Sequence, residues 1–170
     1  METALLDIQK ELVAEYEREA ASTRKMLEAI PDGADFGWKP HEKSMSFGKL
    51  ASHVSDTCAD WGVHTLTMDR LDWSPDMAAK EATSKTELLD RFDKQVAEAK
   101  AALAAMTPER WESNWKFVAG DQTWIDDSKY GVWRVWVLNH LAHHRGQFSV
   151  YLRLLGAKVP GMYGPSADEM

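Results

Sequence analysis

The stretch that organises this chain is Val135-Trp-Val-Leu-Asn-His-Leu-Ala-His-His-Arg-Gly-Gln147. It lies in a long segment with helical periodicity and places His140 and His144 four residues apart. At about 100° per residue, this spacing directs both imidazoles from one helix face toward one point. Two imidazoles in that arrangement can occupy two corners of a metal coordination polyhedron.

The histidine pair lies in the apolar stripe of this predicted helix. Five apolar or aromatic side chains fall within about 60° of the same direction by helical arithmetic: Trp133, Trp136, Val137, Tyr151 and Leu155. A buried imidazole without a partner costs about 1–3 kcal/mol, and a shared cation would satisfy both rings. Spacing alone leaves alternatives open, because a histidine on an apolar face is often an ordinary core residue. The neighbouring His143, paired with His140, is a weaker choice of ligands.

Four segments of the chain repeat apolar residues at threes and fours, the period of an amphipathic helix. We predict helices from about Leu5 to Ile30, from Ser44 or Ser46 toward Asp69, around Leu88–Met106, and from about Ser128 to Leu155. Gly156 is expected to end the last helix, because glycine tolerates the positive φ of a helix C-terminus.

The segment before the last helix has a different pattern. Aromatic residues surround Gly120-Asp121, a pair suited to the turn of a short hairpin. The sequence therefore predicts an all-α fold, a four-helix bundle with a short irregular or hairpin insertion before the last helix.

Length, composition and charge limit the classes of protein. The chain has 170 residues, of which 44% are hydrophobic, so we expect one domain over residues 1–170. A formal charge of −7 without a cluster of Lys and Arg argues against nucleic acid as a partner. Cys58 is the single cysteine, and the amino terminus lacks the order of a signal peptide, so we expect a cytoplasmic protein. We predict no membrane span, because no apolar stretch approaches about 20 residues.

A third metal ligand would have to come from another helix, since a metal in a bundle core takes ligands from facing helices. His53 in the second predicted helix is the natural candidate, although its place at the edge of the apolar stripe also suits a half-exposed surface histidine. His64 and Asp60 share its face but lie about 10–17 Å farther along the axis, too far to bind the same ion. We expect His41, in a loop, to be solvated.

Five segments of the chain together resemble the DinB-like proteins and occur in that family's order. They are Ile30-Pro-Asp-Gly33, Trp38-Lys-Pro-His-Glu-Lys-Ser-Met-Ser-Phe-Gly-Lys-Leu-Ala-Ser-His53, Asn139-His-Leu-Ala-His-His-Arg-Gly-Gln147, Tyr151-Leu-Arg-Leu-Leu-Gly156 and Tyr163-Gly-Pro-Ser-Ala-Asp168. DinB-like proteins are four-helix bundles with a metal-binding histidine triad. The resemblance implies that the ligands here are His53, His140 and His144.

The resemblance also implies a range of functions. Relatives include S-transferases that use a low-molecular-weight bacterial thiol, a thiol-dependent isomerase, and members with no assigned reaction. Three neutral imidazoles leave coordination positions open, where a metal can lower the pKa of a bound water or thiol. We therefore expect a metal-dependent enzyme that transfers a low-molecular-weight thiol to a hydrophobic electrophile. The alternatives are a metal-dependent hydrolase and a non-catalytic, stress-related metal-binding bundle.

The ion, the substrate pocket and the partners follow from the same reasoning. Imidazole suits several divalent ions, and the resemblance favours zinc or nickel. We expect a small-molecule substrate, and the resemblance suggests a homodimer formed through one face of the bundle. The expected pocket residues are Thr57, Trp61, Trp133, Trp136, Gln147 and Tyr151.

Arg145 points about 100° away from His144 and is predicted to be a structural or interface charge. The sequence identifies no general acid or base.

Overall fold

Four long helical stretches pack around an apolar core in the computed structural model, which describes residues 7–78 and 80–170. The helices are α1 (Ile8–Glu28), α2 (Phe47–Cys58), α3 (Asp60–Thr67), α4 (Lys85–Ala104), α5 (Pro108–Glu112), α6 (Lys129–Val132) and α7 (His140–Leu154). A π-helix (Trp133–Asn139) joins α6 to α7, and a 3₁₀ turn (Pro75–Met77) precedes α4. The strands are β1 (Arg70–Trp73), β2 (Asn114–Ala119) and β3 (Gln122–Ser128).

The ends of the long helices follow local rules. The side chains of Asp7, Ser46 and Ser84 accept hydrogen bonds from backbone N–H groups in the first turns of α1, α2 and α4. Ser46 is thus the cap of α2, and Ser44 lies outside the helix. Gly156 has a φ of +77° directly after the last helix, as predicted.

The predicted four-helix bundle is confirmed. Its members are α1, the α2–α3 pair, α4, and the continuous stretch of α6, the π-helix and α7. In the bundle α2 packs against α7, while α4 packs against both α1 and α3. Within the described ranges, none of the helices is both long enough and apolar enough to cross a membrane.

The second predicted helix is interrupted. One helix was expected from Ser46 toward Asp69, but α2 ends at Cys58 and α3 begins at Asp60. The residue between them, Ala59, has φ −117° and ψ −65° and caps α3 without a side-chain hydrogen bond. The interruption carries none of the residues that usually mark a helix end, so the sequence alone did not reveal it.

The predicted hairpin is present and belongs to a three-stranded sheet. Strands β2 and β3 are antiparallel, and Gly120 between them has a φ of +59°. Strand β1 pairs in parallel with β2, placing Leu71 opposite Phe117. Apolar side chains of the sheet pack with Trp61 of α3 and form a second, smaller core. The sheet therefore covers one side of α3.

The last predicted helix contains an irregularity with consequences for the site. Its π-helical part uses i→i+5 hydrogen bonds and so has more residues per turn than an α-helix. Side-chain directions calculated at about 100° per residue, the value for an α-helix, are therefore wrong across this segment. Trp133 is fully buried against Tyr16 and Trp111, with ring centroids 5.4 and 6.0 Å apart, whereas Trp136 is 40% exposed.

Arg145 connects three parts of the chain from a buried position. It donates hydrogen bonds to the carboxylate and backbone carbonyl of Glu19, to the Thr23 hydroxyl and to the Tyr163 hydroxyl. Its guanidinium carbon also lies 5.3 Å from the centroid of the Tyr163 ring. Arg145 therefore holds α7, α1 and the C-terminal segment together, in the structural role that the sequence suggested.

We expect Arg145→Leu to lower the free energy of unfolding by about 3–5 kcal/mol, because the Glu19 carboxylate would remain in the bundle without its cation. Urea denaturation followed by circular dichroism measures this loss. The matched control is Arg24→Leu, which removes an exposed arginine paired with Glu28 and Asp93 and should cost about 1 kcal/mol or less. Equal losses for the two variants would contradict the role given to Arg145.

Candidate metal centre

The structure brings three histidines from two helices to one point. The Nε2 atom of His140 lies 2.7 Å from Nε2 of His144 and 3.4 Å from Nε2 of His53. One ring nitrogen from each histidine lies within 4.8 Å of the other two. These are the three residues that the sequence analysis named as ligands.

The packing of α2 against α7 brings the third histidine to the pair. Phe47 of α2 stacks on Phe148 of α7 with ring centroids 5.4 Å apart, and Leu50 and Val54 of α2 are fully buried. These apolar contacts turn His53, which is half-buried, toward the first turns of α7. The centroid of its ring lies 4.3 Å from that of His144.

Hydrogen bonds fix the orientation of two of the rings. The Nδ1–H of His144 donates to Oε1 of Gln147 over 2.9 Å, and Nε2 of Gln147 donates to Nε2 of His143 over 3.1 Å. A hydrogen bond with the backbone of Trp136 raises the pKa of His140 and opposes the effect of burial. Because the His144 ring uses its proton in the outward bond to Gln147, its Nε2 lone pair faces the common point.

The electrostatic environment keeps the rings neutral. Burial, with smaller contributions from His144, His140 and Lys49, lowers the pKa of His53 to about 4. Burial is also the largest cause that lowers the pKa of His140 and of His144. At pH 7 all three imidazoles are therefore in the unprotonated form that binds a metal ion.

This donor set fits a divalent metal ion. Zinc–nitrogen bonds of about 2.0–2.1 Å in a tetrahedral site place ligand nitrogens about 3.3 Å apart. The 3.4 Å separation between His53 and His140 matches this value, while the 2.7 Å separation between His140 and His144 is shorter. Lone pairs that face each other repel, and a cation among them turns the repulsion into attraction. Three neutral ligands would leave at least one coordination position open.

A cavity of about 440 Å³ adjoins His53. Its wall includes Asp56 from α2, Asp60, Trp61 and His64 from α3, and Trp73 and Phe117 from the sheet. A larger hollow of about 570 Å³ lies beside Trp111 and Tyr130 and contains none of the three histidines. Of these two cavities, the smaller is therefore the one in which a histidine of the triad forms part of the wall.

Three of the expected pocket residues are Thr57 of α2, Trp61 of α3 and Trp133 of the π-helix. Trp61 lines the cavity, as expected. Thr57 and Trp133 are instead fully buried in the bundle and do not reach it. Trp133 also packs against α3, where a Cβ atom on Gly62 would lie 3.3 Å from its ring. The π-helix accounts for the difference at Trp133, because it rotates that ring away from the histidine face.

The other three expected pocket residues do not line the cavity, and two of them, Trp136 and Gln147, contact histidines of the triad. The ring centroids of Trp136 and His140 lie 6.2 Å apart. Gln147 is exposed and serves as the hydrogen-bond acceptor of His144. The Tyr151 hydroxyl donates to the Met45 carbonyl, and its ring packs edge-on against Trp38 at 5.7 Å.

Of the remaining histidines, His143 has its ring centroid 4.8 Å from that of His144, while the other two lie apart from the triad. His64 and Asp60 form their own pair, with Nδ1 and Oδ2 3.8 Å apart. His41 is exposed, and its Nδ1 accepts a hydrogen bond from the backbone N–H of Lys43. His143 is also exposed.

The sequence analysis missed several residues of the cavity, and Asp56 is the most deeply buried acidic one among them. Its carboxyl group is 7% exposed, and burial raises its pKa to about 6 despite the opposing charge of Arg91. Its position one helical turn after His53 was the available signal, because residues three apart share a helix face. A carboxyl group in this environment has the properties of a general acid or base near neutral pH.

Comparisons with known proteins identify the same architecture. The sequence profile described as the DinB family matches residues 1–170. The uncharacterized protein YrdA of Bacillus subtilis is 27% identical over 155 residues, which cover 91% of this chain and 87% of YrdA. A DinB-like protein from Bacillus cereus ATCC 10987 has 21% identity and a TM-score of 0.70, covering 91% of this chain and 97% of that protein.

A further solved structure is similar in fold. YfiT from Bacillus subtilis has 14% identity and a TM-score of 0.64, and the match covers 93% of each chain. YfiT is described as a probable metal-dependent hydrolase with an unusual four-helix bundle topology. At these identities the solved structures establish a common fold.

We expect Gln147→Leu to weaken Zn²⁺ binding about 10–100-fold, because the His144 ring would lose the acceptor that orients it. Competition with a chromophoric chelator measures the affinity. Gln147→Glu keeps an acceptor at the same position and should retain tight binding. Gln122→Leu, on β3, is the control for a general effect of exposing leucine. Unchanged affinity in Gln147→Leu would show that Gln147 does not position the ligand.

The metal-free protein should lose stability at mildly acidic pH through His53. The unfolded chain protonates this histidine near pH 6.5, while the folded protein does so only near pH 4. Its contribution is therefore complete above about pH 6.5 and declines as the pH falls toward 4. Asp56 acts in the opposite sense, because its folded pKa is raised. The decisive measurement is thus a comparison of wild type with His53→Gln in EDTA.

In that comparison, the unfolding free energy of His53→Gln should fall less steeply between pH 6.5 and 4 than that of the wild type. His41→Gln removes an exposed histidine and serves as the control. Parallel curves for the wild type and His53→Gln would contradict the lowered pKa.

Proposed function

Because the chain belongs to the DinB family, we propose that it is a metal-dependent enzyme whose metal ligands are His53, His140 and His144. The convergence of the three Nε2 atoms carries this proposal. A purely structural histidine cluster would need a hydrogen-bond donor between the rings. The His144 ring instead directs its Nδ1–H outward to Gln147, so a cation accounts better for the Nε2 atoms that meet at this point.

Each protein group has a separate part in the proposed site. The three imidazoles hold the ion, and Gln147 orients the His144 ring. Asp56 and Trp61 line the adjoining cavity, where the substrate would bind. When bound, the ion would act as a Lewis acid and lower the pKa of a water or thiol in its open coordination position.

Hydrolysis is the reaction we propose first. The description of YfiT, which has the same fold, supports it, as does the open coordination position that three ligands leave. Zinc or nickel is the ion we propose, because both bind neutral imidazole well. The substrate would be a small molecule with an ester or amide bond that reaches the triad from the cavity.

Transfer of a low-molecular-weight thiol is the second candidate. Cys58 is fully buried, and burial raises the pKa of its thiol to about 12. The protein therefore has no reactive thiol of its own, so a thiol nucleophile would have to be a cosubstrate. The cytoplasm, the proposed location of the protein, contains such thiols. The same Lewis acidity would serve both reactions, so the thiol requirement is what distinguishes them.

The test combines metal analysis with activity. Protein purified without an affinity tag should contain one divalent ion per chain by elemental analysis. If the protein is a hydrolase, the metal-loaded form should hydrolyse aryl esters or amides without any added thiol. If it is a thiol transferase, the metal-loaded form should consume a model electrophile only when bacillithiol, mycothiol or glutathione is present. The double variant His140→Ala/His144→Ala should lose the ion and at least about 100-fold of the turnover, because two of the ligands are removed. His41→Ala should retain both.

Two results would overturn the enzyme proposal. One is turnover that survives complete removal of metal. The other is stoichiometric metal whose removal lowers the melting temperature, with no reaction found for esters, amides or any thiol. The second result would support a non-catalytic metal-binding bundle.

A further inference from the structure

The cavity beside His53 has an excess of negative charge. Three carboxylates line it, those of Asp56, Asp60 and Glu81, whereas Lys49 is the cationic side chain among its lining residues. Lys49 and Glu81 are both exposed, and Glu81 accepts a hydrogen bond from Ser46. The two aspartates lie deeper, so they determine the charge that a bound molecule meets.

Asp56 lacks the hydrogen-bond donors that a buried carboxylate needs. Among the described residues, none donates a hydrogen bond to its buried Oδ1 atom. The nearest cation is Arg91, whose Nε lies 3.6 Å away, beyond hydrogen-bond distance. Arg91 donates to the Lys80 carbonyl through Nη1, while its Nε and Nη2 have no hydrogen-bond partner among the described residues. A buried carboxylate in this state is costly, and a donor that entered from the cavity would lower the cost.

Asp60 adds a second carboxylate one turn farther along. Its Oδ1 accepts from Nε2 of Gln95 over a long 3.4 Å, and the side chain is 41% exposed. The charge of Asp60 raises the pKa of Asp56, so the two carboxylates repel each other across the cavity wall. A cation placed between them would relieve this repulsion.

Aromatic side chains line the same cavity. The ring centroids of Trp61 and Phe117 lie 5.2 Å apart, and Trp73 from β1 is 38% exposed there. Aromatic faces attract an ammonium group within about 6 Å and also accept the apolar part of the same molecule. A cavity lined by both carboxylates and aromatic rings thus matches an organic amine, whereas an organic anion would meet repulsion from the acidic groups.

We infer that this cavity binds a molecule with a protonated amino group and an apolar body, and that the ammonium group lies between Asp56 and Asp60. The inference rests on the proposed function, because it names the substrate class for the reaction at the triad. Asp56 follows His53 by about one turn of α2, or about 5 Å, and Asp60 begins α3 beyond it. The substrate would therefore be an ester, amide or electrophile whose amino group is several bonds from the reacting carbon.

The binding test needs no turnover. Full-length protein is titrated with 2-phenylethylammonium, with the neutral analogue 2-phenylethanol and with the anion 3-phenylpropanoate, and amide NMR shifts are followed. The ammonium probe should bind at least about tenfold more tightly than the neutral analogue, the advantage of a charge-assisted hydrogen bond. The largest shifts should fall on residues 56–64 and on β2. Equal or tighter binding of the neutral or anionic probe would overturn the inference.

Variants identify the groups responsible. Asp56→Asn and Asp60→Asn should each weaken the ammonium probe about tenfold while leaving the neutral analogue unchanged. Asp90→Asn, on the exposed face of α4, is the matched control and should bind like the wild type. If Asp56→Asn does not fold, the partly exposed Asp60→Asn carries the test. Retained selectivity for the ammonium probe in the folded aspartate variants would contradict the assignment.

The triad variant separates this inference from the proposed function. His140→Ala/His144→Ala leaves both aspartates and the aromatic wall in place, so it should still bind the ammonium probe. Amine binding by a protein that shows no metal-dependent turnover would refute the proposed function and keep the site. Metal-dependent turnover in a protein that does not prefer the ammonium probe would refute the site and keep the function.

Discussion

The contact between α2 and α7 is the interaction on which the rest of this structure depends. Two histidines occur together on α7 for a local reason, the four-residue spacing, but His53 reaches them only through packing. The stacked rings of Phe47 and Phe148 set the distance between the two helices. The hydrophobic effect thus provides the free energy that holds three imidazole nitrogens, with mutually repulsive lone pairs, in one place. A cation bound among these nitrogens would make their close approach favourable.

Burial shifts the pKa values of the imidazoles and of the neighbouring carboxyl group in opposite directions. It lowers the pKa of the three imidazoles and so keeps them ready to bind an ion at neutral pH. It raises the pKa of Asp56 toward neutrality. One physical cause, the cost of a charge in a poorly solvated place, therefore prepares both the ligands and the neighbouring carboxyl group.

The small sheet shapes the cavity beside the bundle. The protein shares its helical bundle with YfiT and with the DinB-like protein from Bacillus cereus. A shared fold does not by itself determine the reaction. Here β1 and β2 add Leu71, Trp73 and Phe117 to the cavity that the two aspartates also line. The parallel pairing of β1 with β2 joins segments far apart in the chain. The sheet is small, yet it contributes an apolar part of the cavity wall.

The sequence by itself determined the features that depend on neighbouring residues. The periodic apolar faces, a serine cap at residue 44 or 46, the turn at Gly120 and the helix end at Gly156 all follow from local hydrogen bonds and backbone preferences. The face shared by His140 and His144 follows from the helical repeat. Only the tertiary structure decided the break at Ala59, the pairing of β1 and the π-helix that directs Trp133 into the core, because these arise from contacts between distant segments. The meeting of His53 with the other two histidines belongs to the same class: spacing along one helix is a local property, while the distance between two helices is set by everything packed between them.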